Sequence, residues 1–251
     1  MKFTDAVKHI LGESAIKSPV FTPQKKKKKI KFKLPPSCGN KEAVEYLRLR
    51  CIDMEIIQYC LFKDIVYQTQ KVSKYGDVFN NVVFVSKDKS GVPKYATKRG
   101  ISDKHFFGDV GGSSKCHSFK IPSETKSDTV HIFECAIDLL SYATILKRHG
   151  KNWRQDNLLS LSGVYKSKKE EKALPFALGQ FLKDNPSVQI INLHLDNDDV
   201  GRDATRAITG ALAKDYTVYD NPPTFGKDIN EYLCMTMKKP DKSKAERNNS
   251  R

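Results

Sequence analysis

No apolar run in the sequence approaches the roughly 20 residues that a membrane-spanning helix requires, and the segment after Met1 has no apolar signal-peptide core. These absences argue against a membrane role and make a soluble, cytoplasmic protein the expectation. The cysteines are also sparse in pattern: Cys38, Cys51, Cys60, Cys116, Cys135 and Cys234 form no C-x-x-C pair and no Cys/His cluster at zinc-finger spacing. Reduced thiols and no structural zinc follow. Acidic charge is the third scarcity, with 29 Asp and Glu against 44 Lys and Arg, a formal net charge of +15. An excess of that size predicts attraction to a polyanion such as nucleic acid. Part of it lies in "QKKKKKIKFK" and "KKPDKSKAERNNSR", which read equally well as solvated tails or, for the first, as a basic arm.

A length of 251 residues suits one ordinary domain or two small ones. Residues 1–37 read as a short amphipathic helix (Phe3, Ala6, Val7, Ile10 and Leu11 at helical spacing) followed by the basic linker. Residues 38–125 read as a small α+β domain. In it, "NKEAVEYLRLRCIDMEIIQYCLF" gives two helices capped by Asn40 and Asp53, and "NNVVFVSKDKSGVPKYATKRG" gives a hairpin. The loop "GDVGGSSKCHSF" has the glycine and serine content of a phosphate cradle, with a plain connection as the alternative.

Residues 126–237 change rhythm. The strands "TVHIFE", "NLLSLSG", "VQIINLHLD" and "YTVYD" alternate with helices "AIDLLSYATILKRHG", "KEEKALPFALGQFLKDN" (kinked by Pro175), "DDVGRDATRAITGALAKD" and "DINEYLCMTM". Such alternation predicts an α/β fold, a mainly parallel sheet with helices on both faces. Residues 238–251 read as a basic disordered tail.

"HLDNDDVGRDAT" crowds four carboxylates behind an apolar strand. Ligands of parallel sheets sit beyond the carboxyl ends of the strands, where Glu134, Asp196 and Asp198 fall. Carboxylates spaced like Asp196 and Asp198 can face one hard cation, Mg²⁺ or Mn²⁺, and Gly201 lets the chain bend into the helix. Helix capping is the competing reading for Asp198 and Asp199, with Asp199 the expected cap. Asp196 resists that reading, because a carboxylate ending a buried strand is costly without a partner.

These residues carry a resemblance. "FECAID" followed by "LDNDDVGRDA" resembles the Toprim domain of bacterial primases, topoisomerases and related nucleases, with Glu134, Asp196, Asp198 and Gly201 on its Glu and D-x-D-x-x-G pattern and Asp138 on the acid of primase-like members. "FGKDINEYL" is similar to a segment of the primase-like (DnaG-type) Toprim proteins of plasmids and conjugative elements. The preceding region resembles the domain of unknown function (DUF3991-like) found with them, so the likeness spans roughly Lys41 to Met237.

The resemblance implies Glu134 as general acid or base and Asp196 and Asp198 as ligands of Mg²⁺ (or Mn²⁺). It also implies Asp138 and Asp228 as supporting acids, and Lys227 and Arg202 as phosphate or nucleic-acid contacts. Lys98, Arg99, Lys104, Arg148, Lys166, Lys168 and Lys169 could track a backbone, and Phe106, Phe107 and Tyr165 could stack on single-stranded bases, with solvated charge and core packing as the ordinary alternatives. The implied partners are DNA or RNA, single-stranded by expectation, and nucleotides.

Two positions depart from the family. Cys135 and Cys51 stand where glycine is usual, and a strained or crowding Cys135 would reduce activity while the fold survives. Only the final helix of the usual zinc-ribbon module has a counterpart, in "MKFTDAVKHILGE", which leaves two expectations: a truncated gene product, or template recognition received from a separate zinc-ribbon or replication protein. Two functions follow: a metal-dependent nucleotidyl or phosphodiester transferase of a mobile element, or a noncatalytic nucleic-acid-binding accessory protein.

Overall fold

The structure, a computed structural model, describes residues 30–101, 106–161 and 174–238. The chain divides into Met1–Ile30 and Lys31–Arg251, and all that follows concerns the second unit. The amino-terminal helix, the lysine run, Lys104, Tyr165, Lys166, Lys168, Lys169 and the basic tail lie outside the described residues.

Helices α1 (Lys41–Leu49) and α2 (Met54–Phe62) form as expected, but their caps differ. Asp53 caps α2, its Oδ1 accepting from the Glu55 amide at 2.9 Å. Asn40 does not cap α1: its Oδ1 accepts from the Gln68 amide at 3.1 Å, and the Gln68 side chain accepts from Glu42 and Ala43, at 3.0 and 3.2 Å. The first-turn N–H groups of α1 are thus satisfied by a residue of β1 (Val66–Val72), a strand that the sequence reading passed over. Strands β2 (Val78–Lys87) and β3 (Pro93–Gly100) form the expected hairpin, and β4 (Phe107–Asp109) completes an antiparallel sheet in the order β1-β2-β3-β4.

The glycine and serine loop after β4 spends much of its hydrogen bonding on the fold, as a plain connection does. Ser113 Oγ bonds the amide and carbonyl of Ala96, and the amides of Ser113, Ser114 and His117 donate to Val110, Lys94 and Ser114 carbonyls. Donors spent within the fold are not free for an anion.

The second sheet contains β5 (Lys120–Ile121), β6 (Thr129–Phe133), β7 (Asn157–Ser160), β8 (Ile190–His194) and β9 (Thr217–Asp220), in the order β5-β7-β6-β8-β9. All its pairs are parallel except β5 with β7. Between the strands run α3 (Ala136–Arg148), α4 (Phe176–Asp184), α5 (Asp199–Leu212) and, last, α6 (Ile229–Lys238). Pro175 precedes α4 and starts it instead of kinking it, because its missing N–H costs nothing at a helix start; the residues expected to continue that helix backward lie outside the described ones.

Strand periodicity sorts β6 between two cores. Val130 and Ile132 pack with Leu178 and Phe181 of α4 and Ile208 and Leu212 of α5. Phe133 faces Leu139 and Leu140 of α3 and Leu233 of α6, in one cluster with Ile56, Ile57, Val82 and Phe84 of the antiparallel region. Both faces of the parallel sheet are therefore covered.

A buried polar chain crosses the α3 face. The Asn221 carbonyl can only accept, so the bond from His194 Nδ1 at 2.9 Å places a proton on that nitrogen. His194 is almost fully buried and is pushed down to about 3 by that burial and by neighbouring His131, so it is neutral and its Nε2 accepts from His131 Nδ1 at 2.9 Å. His131 Nε2 then faces Asp156 Oδ2 at 3.5 Å, which ends the chain on a carboxylate.

Candidate functional site

The strand order reverses direction beside β6. From β6 the chain passes through α3 to β7 on one side, then returns to β8 on the other. That switch leaves a crevice at the carboxyl ends of β6 and β8. Phe133 lies in register with His194, so Glu134 and Asp196 emerge together at the crevice.

They touch. The Asp196 amide donates to Glu134 Oε1 at 3.1 Å, and Arg202, one turn into α5, donates from Nε to the Asp196 carbonyl at 3.2 Å. Gly201 is required by close approach: a Cβ there would stand 2.2 Å from the Asp196 carbonyl oxygen and 2.8 Å from Glu134 Oε1. Asp198 is the N-cap of α5, its Oδ1 accepting from the Gly201 amide at 2.9 Å, which corrects the expectation that Asp199 would cap. Its other oxygen, Oδ2, lies 3.2 Å from Lys227 Nζ, and Asp196 Oδ2 lies 3.6 Å from the same ammonium.

The supporting acids come from helix starts. Asp138, in the first turn of α3, is buried; its Oδ2 accepts from the Cys135 thiol at 2.8 Å and its Oδ1 from the Asn230 amide at 3.2 Å. Asp228 holds the start of α6, its Oδ1 accepting from the Glu231 amide at 2.7 Å. Cys135 sits in extended backbone with φ −135°, so the expected strain is absent at the position after Glu134.

Like charge at close quarters perturbs this cluster. Burial, then the Asp196 charge, pushes Glu134 up to about 7. Burial, then Asp228, pushes Asp138 up to about 7 and Asp196 up to about 6. Asp198, hydrogen-bonded by the Gly201 amide and only partly buried, is held below the usual carboxylate range. Half-buried carboxylates that resist ionising side by side mark a place where a cation lowers the energy.

Two predicted phosphate contacts are engaged inside the fold. Arg202 pairs with Asp220 at 2.8 Å and donates from Nη2 to the Leu195 carbonyl at 3.0 Å, which locks α5 to the end of β8. Lys227, itself exposed, sets its ammonium beside both Asp196 and Asp198. Arg99 lies over the half-exposed Phe107 ring at 5.8 Å, and its charge reaches Cys135 at the site; Lys98 lies over Phe106 at 5.3 Å. Arg99 shares its strand face with Val82, on the side of the second sheet, and Lys98 points to the other face. Arg148 is placed against Met237.

Among the described residues, no three His, Cys, Asp or Glu side chains are grouped to hold a metal ion by themselves. The donor set nonetheless suits Mg²⁺ or Mn²⁺, which commonly take only one or two carboxylates and complete their shell with water and phosphate oxygens. Asp196 and Asp198 already converge on one cationic point, held by the Lys227 ammonium. Asn230 was missed in the sequence, although its segment drew attention. Its amide on Asp138 and its side chain on the Arg50 carbonyl, at 2.8 Å, are visible only in three dimensions.

A parallel-rich α/β domain with its acids at the switch point is the arrangement of a Toprim-type domain. Residues 131–233 match the family model described as Toprim-like, and residues 45–124 match the one described as Protein of unknown function (DUF3991). The chain therefore carries a DUF3991 segment followed by a Toprim-like domain. Its fold is similar to that of the primase fragment of the bacteriophage T7 primase-helicase protein, with TM-score 0.51 and 17% identity over 79% of this chain and 72% of that one. The E. coli primase catalytic core aligns with TM-score 0.47 and 14% identity over 82% of this chain and 72% of that one. No curated protein matches this chain in sequence.

Proposed function

We propose that the chain is a primase-like protein that acts on nucleic acid by divalent-metal-dependent nucleotidyl or phosphodiester transfer. The observation that carries this reading is the meeting of Glu134 and Asp196 at the switch-point crevice, with Asp198 turned toward the same cation-filled point. Asp196 and Asp198 would hold Mg²⁺ or Mn²⁺, which supplies positive charge for the oxygens of the transferring phosphoryl group. Glu134, raised to about 7, exchanges a proton near neutral pH and serves as general acid or base. Asp138 and Asp228 hold α3 and α6 around the site while adding negative charge to it. Arg99, beside the site and with no carboxylate partner among the described residues, offers a guanidinium to a phosphate; Phe107 offers a ring face to a base. Single-stranded DNA or RNA and nucleotides are the matching partners. Replication of a mobile element is the setting proposed for the reaction, a reading supported by the resemblance of "FGKDINEYL" to plasmid and conjugative-element proteins.

One observation favours the accessory reading: Lys227 already neutralises Asp196 and Asp198 without an added ion. Calorimetry with Mg²⁺ and Mn²⁺ separates the two. The wild-type chain is compared with Asp196→Asn/Asp198→Asn, with and without single-stranded DNA, followed by assays of ribonucleotide polymerisation and DNA cleavage. Binding that vanishes in the double variant, together with either activity, is the expected outcome. Absence of metal binding alongside salt-dependent DNA binding would leave a noncatalytic nucleic-acid-binding protein.

A further inference from the structure

Helix α6 docks on the turn between α1 and α2 through residues one helical turn apart. Asn230 Nδ2 donates to the Arg50 carbonyl at 2.8 Å, and Arg50 Nη1 returns a bond to Asn230 Oδ1 at 3.2 Å. The Cys234 thiol donates to the same Arg50 carbonyl at 3.6 Å, which brings it beside Cys51, the next residue in the chain. Cys51 holds the left-handed conformation, φ +63°, where glycine is the unstrained choice, and its side chain packs against the shared core. Both thiols are partly exposed and free, whereas Cys60 is buried and the Cys135 thiol is committed to Asp138.

We infer that Cys51 and Cys234 are a modification site: a vicinal dithiol in space that a small disulfide oxidant converts to an intramolecular disulfide. One protein thiolate attacks the oxidant's S–S bond and releases a first thiolate. The other then attacks the resulting mixed disulfide, forms the Cys51–Cys234 bond and releases the second. The protein loses two protons and two electrons, and one oxidant disulfide becomes two thiols.

The bond would staple the turn between α1 and α2 to the last helix, whose Asn230 amide holds Asp138. Because it would close nearly the whole folded unit into one loop, its effect on the unfolded chain is large, and a rise in melting temperature on the order of 10 °C is expected. This inference does not depend on the proposed activity.

The test treats the reduced full-length chain with glutathione disulfide at mildly alkaline pH. Cross-linked peptides are mapped by mass spectrometry, and melting is followed before and after dithiothreitol. Expected are a monomer lighter by two hydrogens, a Cys51–Cys234 peptide pair and a reversible rise in melting temperature. Cys51→Gly, which relieves the positive φ, and Cys234→Ala should fold and show neither. Glutathione adducts on the exposed Cys38 and Cys116 without a Cys51–Cys234 pair would overturn the inference. So would an equal thermal rise in Cys51→Gly.

Discussion

Two polar clusters are built on the same neighbouring strands, β6 and β8, and their charges are balanced in opposite ways. In the strand interiors, His131 donates to His194 and faces the Asp156 carboxylate, and His194 donates to the Asn221 carbonyl, so each donor finds an acceptor. At the carboxyl ends, burial raises Glu134, Asp196 and Asp138, and neighbouring acids add to it, Asp196 at Glu134 and Asp228 at both Asp138 and Asp196. Asp156 is held below the usual carboxylate range by His131, whereas Glu134, Asp196 and Asp138 are held above it. The first cluster satisfies itself; the second is left in want of positive charge. Burial of a polar group is therefore a poor guide to function until the sign of its neighbours is known.

The largest effect expected from this contrast is on chemistry. Glu134→Gln keeps the size of the side chain and an acceptor for the Asp196 amide but removes the exchangeable proton. Under the proposed function it should lower the rate of polymerisation or cleavage by about 10²–10⁴-fold with no loss of melting temperature. A variant that lost stability instead would make Glu134 a structural acid and collapse the distinction.

Gly201→Ala comes next. The added Cβ must push away the Asp196 carbonyl and the Glu134 carboxylate, so Mg²⁺ or Mn²⁺ affinity measured by calorimetry should fall by about 10–100-fold, comparable to losing a ligand-orienting contact. Unchanged affinity would show that the Glu134–Asp196 contact is not needed to arrange the site.

The pH response should differ in sign between the clusters. A carboxyl whose folded value is raised contributes stability in full below its unfolded value, and that contribution is lost as pH rises through the folded value. For Asp138 the window runs from about 3.8 to about 7. Asp138→Asn should therefore gain stability relative to wild type as pH climbs across that window, by about 1–3 kcal/mol in urea unfolding, and Mg²⁺ should shrink the gain. Asp156 contributes in the opposite sense, with stability present above the ordinary carboxylate value and lost as pH falls through its depressed one. A flat difference between Asp138→Asn and wild type would refute the charge crowding.

The smallest effect is expected at Asp156 itself. Asp156→Ala removes the partner of His131 and of Ser127 Oγ, which donates to it at 2.6 Å, and should cost about 1–2 kcal/mol while leaving metal affinity unchanged. A matching loss of metal affinity would join the two clusters into one unit.

The acids at the crevice were legible because their chemistry is local: a strand, a Glu, then D-x-D-x-x-G before a helix. Asp198 and Asp199 were harder, since either can cap a helix and only the backbone geometry picks Asp198. Strand β1 escaped because its Gln68 and Thr69 look solvent-facing in a linear reading yet are buried, Gln68 as the cap of α1. The paired His131 and His194 gave no sequence signal, since strand pairing and not spacing unites them. Arg202 looked like a free cation, and only its contact with Asp220 shows it to be a clamp.

By itself, the sequence determined the alternation of strands and helices, hence a mainly parallel covered sheet, and which carboxylates end its strands. Hydrophobic period and turn chemistry are properties of neighbouring residues, so they survive in one dimension. The tertiary structure decided which cation faces Asp196 and Asp198, why position 201 has no room for a side chain, and which cysteines become neighbours. Those are distances between residues far apart in the chain, and only the packing of both sheets about their shared core makes them short.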